Sequence, residues 1–95
     1  MKASIVWSER ARSDLIGILD YIAMDSSDAA RTFIASLMQK VEALADFPRL
    51  GRVVPEYSNA DLREIIFGKY RIVYTVSDTA ICIVTVFEGH KRVEL

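Results

Sequence analysis

Four cations in the last third of this 95-residue chain, Arg63, Arg71, Lys91 and Arg92, have the side chains to hold a carboxylate or a phosphate. Residues 62–76 read L-R-E-I-I-F-G-K-Y-R-I-V-Y-T-V. Gly68 and Lys69 separate two β-rich runs, and a glycine at the first central position suits a two-residue hairpin, which predicts Arg63 and Arg71 on adjacent strands. A third run, Ile81–Glu88, ends in G-H-K-R, so the four cations are expected at one end or face of a sheet. Arg63 follows a polar loop and either anchors an anion bidentately or pairs internally with Glu64, Glu56 or Asp61. Arg71 lies among apolar residues of a central strand, where an unpaired charge is costly. It must be paired or face a cleft, and a cleft or partner contact is the expectation.

His90, Lys91 and Arg92 stand beside Glu88. A ribonuclease acting through a 2′-hydroxyl needs such a set: a base, an acid and cations that neutralise phosphate. The competing expectation is a solvated tail. Tyr70 and Tyr74 share a strand face and either stack on a base or, as expected, cover the helices. Arg49 and Arg52, in P-R-L-G-R, follow a helix C-terminus, where cations also complement the helix dipole. One His and one Cys are too few for a metal site, and no glycine-rich phosphate loop or nucleophile elbow occurs. No metal and no cofactor are expected.

The elements that position these residues follow from periodicity. Ala3–Trp7 is β-leaning and ends at Ser8, an N-cap with Glu9 in the first turn. Ala11, Leu15, Ile18, Leu19 and Ile22 then form an apolar stripe that predicts a helix to about Ala23. Asp25–Asp28 (D-S-S-D) reads as a turn with a fresh cap. A second stripe at Ala30, Phe33, Ile34, Leu37, Val41, Leu44 and Ala45 predicts a helix ending before Phe47-Pro48. Two such helices joined by about four polar residues make an antiparallel hairpin. Pro48–Asp61 reads as a loop with partial extended structure, and strands are predicted at Leu62–Phe67, Tyr70–Val76 and Ile81–Glu88. Alternation puts Tyr70, Ile72, Tyr74 and Val76 on one face and Arg71, Val73 and Thr75 on the other. The expected fold is α+β: an N-terminal strand, an antiparallel helical hairpin and a three-stranded antiparallel meander (β-α-α-β-β-β), with residues 1–95 forming one domain.

Composition narrows the partners. Apolar residues make up 52% and charged residues 26%, so a packed core is expected. Net charge is −1: residues 1–50 carry six cations and seven anions, residues 51–95 six of each. Binding through phosphates runs on a basic excess, so direct sequence-specific contact with nucleic acid is not expected. The lone Cys82 makes no internal disulfide, the first residues M-K-A-S-I-V-W-S do not read as a signal peptide, and no membrane-length apolar run is expected. A cytoplasmic protein with no membrane contact is expected.

With these residues assembled, the chain resembles the RelE/ParE superfamily of toxins from type II toxin–antitoxin systems, in particular its ParE-like, plasmid-stabilisation branch. The resemblance rests on V-W-S-E-R-A-R-S-D-L-I-G-I-L-D-Y-I (residues 6–22), F-P-R-L-G-R (47–52), L-R-E-I (62–65), Y-R-I-V-Y (70–74) and F-E-G-H-K-R (87–92). It implies a toxin in hetero-oligomeric complex with a cognate, ParD-like antitoxin, whose C-terminal segment wraps the helical hairpin and the sheet. In this superfamily RelE-like members cleave mRNA in the ribosomal A site with clustered Lys and Arg plus a C-terminal Tyr or His. ParE-like members inhibit DNA gyrase and are not nucleases. This chain has Asp61, Arg63 and Glu64 where RelE-like toxins place lysines, and no Tyr in its tail. Glu88 replaces the His of the ParE-like H-G-R-R-D ending. The resemblance therefore implies a non-enzymatic gyrase inhibitor, with Arg49, Arg52, Arg63, Tyr70, Arg71, Tyr74, Lys91 and Arg92 as partner-contacting residues. One alternative is a ribosome-dependent endoribonuclease in which Arg71, Lys91 and Arg92 hold the phosphate and His90 moves protons. Another is a non-toxic member that only binds its antitoxin.

Overall fold

A computed structural model describes residues 2–95; Met1, the first residue of the expected domain, lies outside the described residues. The chain runs β1 (Ser4–Trp7), α1 (Glu9–Asp25), α2 (Ser27–Asp46), β2 (Arg52–Val53), β3 (Leu62–Phe67), β4 (Tyr70–Val76) and β5 (Ala80–Glu88). The strands form one sheet in the order β1-β5-β4-β3-β2. β3, β4 and β5 make the expected antiparallel meander, β2 adds antiparallel to β3, and β1 lies parallel to β5. The α+β architecture is as the sequence predicts, with one short strand added inside the expected loop.

Local chemistry explains the boundaries. Ser8 caps α1: its Oγ accepts from the Ala11 N–H at 3.0 Å and donates to the Val84 carbonyl at 2.8 Å, so the same hydroxyl fixes the helix to β5. The connection between helices is shorter than the four polar residues expected. Ser26 alone serves both ends, donating its N–H to the Ile22 carbonyl and accepting the Ala29 N–H at its Oγ. Because one residue satisfies both termini, α1 continues to Asp25 rather than stopping near Ala23. Gly68 adopts φ 57°, the left-handed conformation that lets β3 turn directly into β4 with Phe67 opposite Tyr70.

The helical hairpin covers one face of the sheet. Ala11, Leu37, Val41 and Leu44 pack there against Ile65, Tyr70, Ile72, Tyr74, Ile81 and Ile83. The opposite face carries a smaller cluster, Val54, Leu62, Val73 and Val93, so the C-terminal tail folds back across the sheet. A bulge breaks the β4–β5 register: Val73 faces Thr85 and Tyr74 faces Ile83, leaving Val84 unopposed. Beyond Ile83, where the pairing of β1 with β5 ends, Asp14 Oδ2 accepts both the Thr85 hydroxyl and the Val86 N–H and docks α1 on β5. Ser8, at the bulged Val84, and Asp14, just beyond it, thus attach the hairpin to β5.

Candidate functional site

The four cations do not converge. Arg63 faces Tyr74 and Arg71 faces Ile66 in the β3–β4 register, so they stand toward opposite ends of the ladder. Their side chains also leave opposite faces of the sheet, Arg63 on the side of Ile65 and Arg71 on the side of Glu64 and Val73. Two groups result: Arg71 with Arg52, which shares its Glu64 partner, and the tail bearing Lys91 and Arg92; and Arg63 with the loop bearing Arg49.

Arg71 is buried and its guanidinium is saturated. Nε donates to Glu64 Oε1 at 2.7 Å, Nη2 to Glu56 Oε1 at 2.9 Å, and Nη1 to Glu56 Oε2 at 3.0 Å and the Lys91 carbonyl at 3.1 Å. Glu64, whose side chain is 0% exposed, shares its other oxygen with Arg52 Nε at 2.6 Å. Two guanidiniums and two carboxylates thus form a neutral tetrad that leaves no buried charge unpaired. The expected cleft or partner contact at Arg71 gives way to internal pairing, because Glu56 reaches it from the loop fifteen residues upstream. Glu56 and Glu64, read from the sequence as partners for Arg63, serve Arg71 instead.

The tetrad also holds the tail. Glu56 Oε2 accepts the Val93 N–H at 3.1 Å, and the Leu95 N–H donates to the Tyr57 hydroxyl at 3.3 Å. The Arg71 hydrogen bonds, then that of Val93, pull the Glu56 carboxyl down to about 2, while Glu56 first and Glu64 next hold the Arg71 guanidinium above its usual range. With its folded pKa below the ordinary 4.5, Glu56 stabilises the fold at neutral pH, and its contribution fades as pH falls from about 4.5 toward 2. His90, Lys91 and Arg92 project into solvent beyond this anchor, and His90 Nδ1 lies 3.5 Å from a Glu88 carboxylate oxygen. The expected solvated tail is therefore half right: its charged side chains are exposed, while Val93 is buried.

The second group is built on a buried phenol. Tyr74 Oη donates to the Pro48 carbonyl at 2.8 Å and accepts the Gly51 N–H at 2.9 Å, and burial keeps this hydroxyl protonated above its usual range. Tyr74 has no exposed surface and Tyr70 almost none, so both are core residues and neither offers a stacking face. Arg63 donates to the carbonyls of Ala60, Arg49 and Gly51. Arg49 pairs with Asp61 at 2.8 Å. The sequence singled out the cations of P-R-L-G-R but missed its neighbours: Phe47 is 65% and Leu50 59% exposed, on a loop fixed from below.

No helix among the described residues is long and apolar enough to cross a membrane, and no group of His, Cys, Asp and Glu among them is arranged to hold a metal ion. Clefts open along the hairpin instead. One of about 600 Å³ is lined by Tyr21, Ile22, Phe33, Phe67, Lys69 and Tyr70; a smaller one, about 280 Å³, is walled by Trp7, Leu15, Ile16, Ile34 and Met38. Both are apolar channels of the kind that takes an amphipathic segment of another chain.

A five-stranded sheet covered on one face by a helical hairpin, with Arg71 paired internally and apolar clefts open along the hairpin, defines a small α+β module. Residues 5–93 match the ParE toxins of type II toxin–antitoxin systems, and the chain belongs to that family. It is 36% identical over 85 residues to the toxin RelE2 of Caulobacter vibrioides, spanning 88% of this chain and 92% of that one. The fold is shared with the chromosomal ParDE toxin–antitoxin system of P. aeruginosa (TM-score 0.74, 19% identity, 92% of this chain and 96% of that one). It is shared too with the RelBE2 toxin–antitoxin complex of Mycobacterium tuberculosis (TM-score 0.66, 20% identity, 93% and 92%). The chain is thus a toxin of the ParE/RelE superfamily.

Proposed function

We propose that this toxin arrests growth in the cytoplasm by binding DNA gyrase, without cutting RNA, and that a cognate antitoxin neutralises it by laying a segment along the hairpin clefts. The observation that carries the reading is the saturated Arg71. A guanidinium that stabilises a scissile phosphate must have donors to offer, and here they are taken by Glu56, Glu64 and the Lys91 carbonyl. An incoming phosphate would have to displace two carboxylates. His90, the one imidazole, lies in solvent beside Glu88 and is linked to Arg71 by no hydrogen bond. The exposed cations Arg49, Arg52, Lys91 and Arg92 remain as contacts for a protein partner.

The purified toxin is expected to block gyrase supercoiling in a plasmid assay and to leave mRNA intact when translating ribosomes are probed by toeprinting. The second reading, a ribosome-dependent endoribonuclease, is favoured by the name of the Caulobacter relative, RelE2. Site-specific cuts that disappear in Arg71→Ala would establish it and remove the gyrase reading.

A further inference from the structure

We infer that the Phe47–Arg52 loop is the surface that docks the toxin's protein target, and that it takes an acidic segment carrying at least one bulky apolar side chain. This rests on the reading above that the toxin acts by binding a protein.

The loop is held too firmly for its exposure to reflect slack. Tyr74 clamps it at Pro48 and Gly51, Arg63 donates to the carbonyls of Arg49 and Gly51, and the Leu50 N–H closes a turn onto the Phe47 carbonyl at 3.0 Å. Gly51 is pressed so closely that an added Cβ would lie 2.4 Å from the Glu64 carbonyl oxygen. A backbone fixed at this many points could have turned its apolar side chains inward, yet it turns Phe47 and Leu50 out. Such rigid display of large apolar groups lowers the ordering cost of binding and is the arrangement found at interface anchors.

Leu50 is a ridge between two concavities. One, about 620 Å³, is lined by Phe47, Pro48 and Val76; the other, about 330 Å³, by Lys40, Arg52 and Ile66, which is itself half exposed. The charges around the ridge choose the occupant. Arg49 is matched by Asp61, Asp46 lies 4.0 Å from Lys2, and Arg52 and Arg71 are matched by Glu64 and Glu56. Among the described residues Lys40 and Arg63 have no carboxylate partner, and Arg52 keeps a side chain that is 60% exposed. The surplus is positive, so the complementary partner surface is acidic. None of these residues lines the hairpin clefts assigned to the antitoxin, so the two partners have separate faces.

The test uses the full-length toxin, purified with its antitoxin, carrying Leu50→Asp or the milder Phe47→Ala. Both positions are exposed, so unfolding temperatures within a few degrees of the parent are expected. Antitoxin affinity by calorimetry should stay within twofold, induction without antitoxin should no longer arrest growth, and the concentration that half-inhibits gyrase should rise at least tenfold. A tenfold loss of antitoxin affinity would make the antitoxin the occupant and overturn the assignment, as would growth arrest that survives both substitutions. If the parent toxin arrests growth without affecting gyrase, the gyrase reading fails while the loop assignment stands, provided Leu50→Asp abolishes that arrest. A parent that arrests nothing overturns both.

Discussion

At the scale of the residue, the fold turns on Glu64. Its carboxylate is fully buried and joins Arg71, itself nearly buried, to the outward-facing Arg52. Breaking a buried ion pair from one side leaves the other charge without compensation, which typically costs about 3–5 kcal/mol. Arg71 keeps Glu56 when Glu64 is changed, so Glu64→Gln is expected at the lower end, about 3 kcal/mol. Urea denaturation checks this, and a loss under about 1 kcal/mol would show that the tetrad contributes little. The tetrad was only partly legible in the sequence. The requirement that Arg71 be paired or face a cleft follows from a charge set among β-forming residues. Which outcome holds depends on Glu56, whose approach is decided by a loop with two prolines and no periodic pattern. Tyr74 was legible as a core residue from strand alternation, but its hydrogen bonds to Pro48 and Gly51 span more than twenty residues and leave no local signal.

At the scale of the element, the two capping serines separate a local role from a tertiary one. Ser26 makes its cap at a half-buried position, and its cap hydrogen bonds run to the two helices it joins. Ser8 makes the same kind of cap and also holds the carbonyl of Val84 at the β5 bulge. Loss of an N-cap typically costs about 1 kcal/mol, so Ser26→Ala is expected near that value and Ser8→Ala near 2 kcal/mol. For a domain of this size about 1 kcal/mol shifts the melting temperature by roughly 4–8 °C, so thermal scans of the two variants should differ clearly. Equal shifts would mean that the Val84 contact adds nothing. Helices α1 and α2 and strands β3 to β5 were legible because their periods of 3.6 and 2 persist over many residues. β2 was not, being two residues long and dependent on pairing with Arg63 and Glu64. Nor was the parallel pairing of β1 with β5, which joins the two ends of the chain and has no expression in any local window.

At the scale of the whole molecule, the hairpin leaves apolar side chains of α1 in solvent. The sheet is covered on one face by α1 and α2, yet α1 fully buries only Ala11, and Ile16, Tyr21 and Met24 on the same helix remain exposed. The radius of gyration, 13.1 Å, is close to the roughly 13 Å of a compact chain of about 100 residues, so this exposure does not come from an expanded fold. Exposed apolar surface of this kind is where a second chain docks, and the antitoxin proposed above is the expected occupant. A segment that binds only the folded toxin adds stability through mass action, about 2.7 kcal/mol at a free concentration one hundred times its dissociation constant. Combined with the size scaling of melting temperatures, the isolated antitoxin C-terminal segment is therefore expected to raise the toxin's melting point by roughly 10–20 °C. Hydrogen exchange should slow in the distal half of α1, around Tyr21, more than in β4, whose amides are already protected by neighbouring strands on both sides. Tyr21→Asp, which places a charge at the cleft shared with Phe33 and Phe67, should abolish most of the shift, whereas Leu50→Asp should leave it intact. A segment that stabilises the Tyr21→Asp toxin as well as the parent would place the antitoxin elsewhere on the sheet, and the apolar face of α1 would then need a different partner.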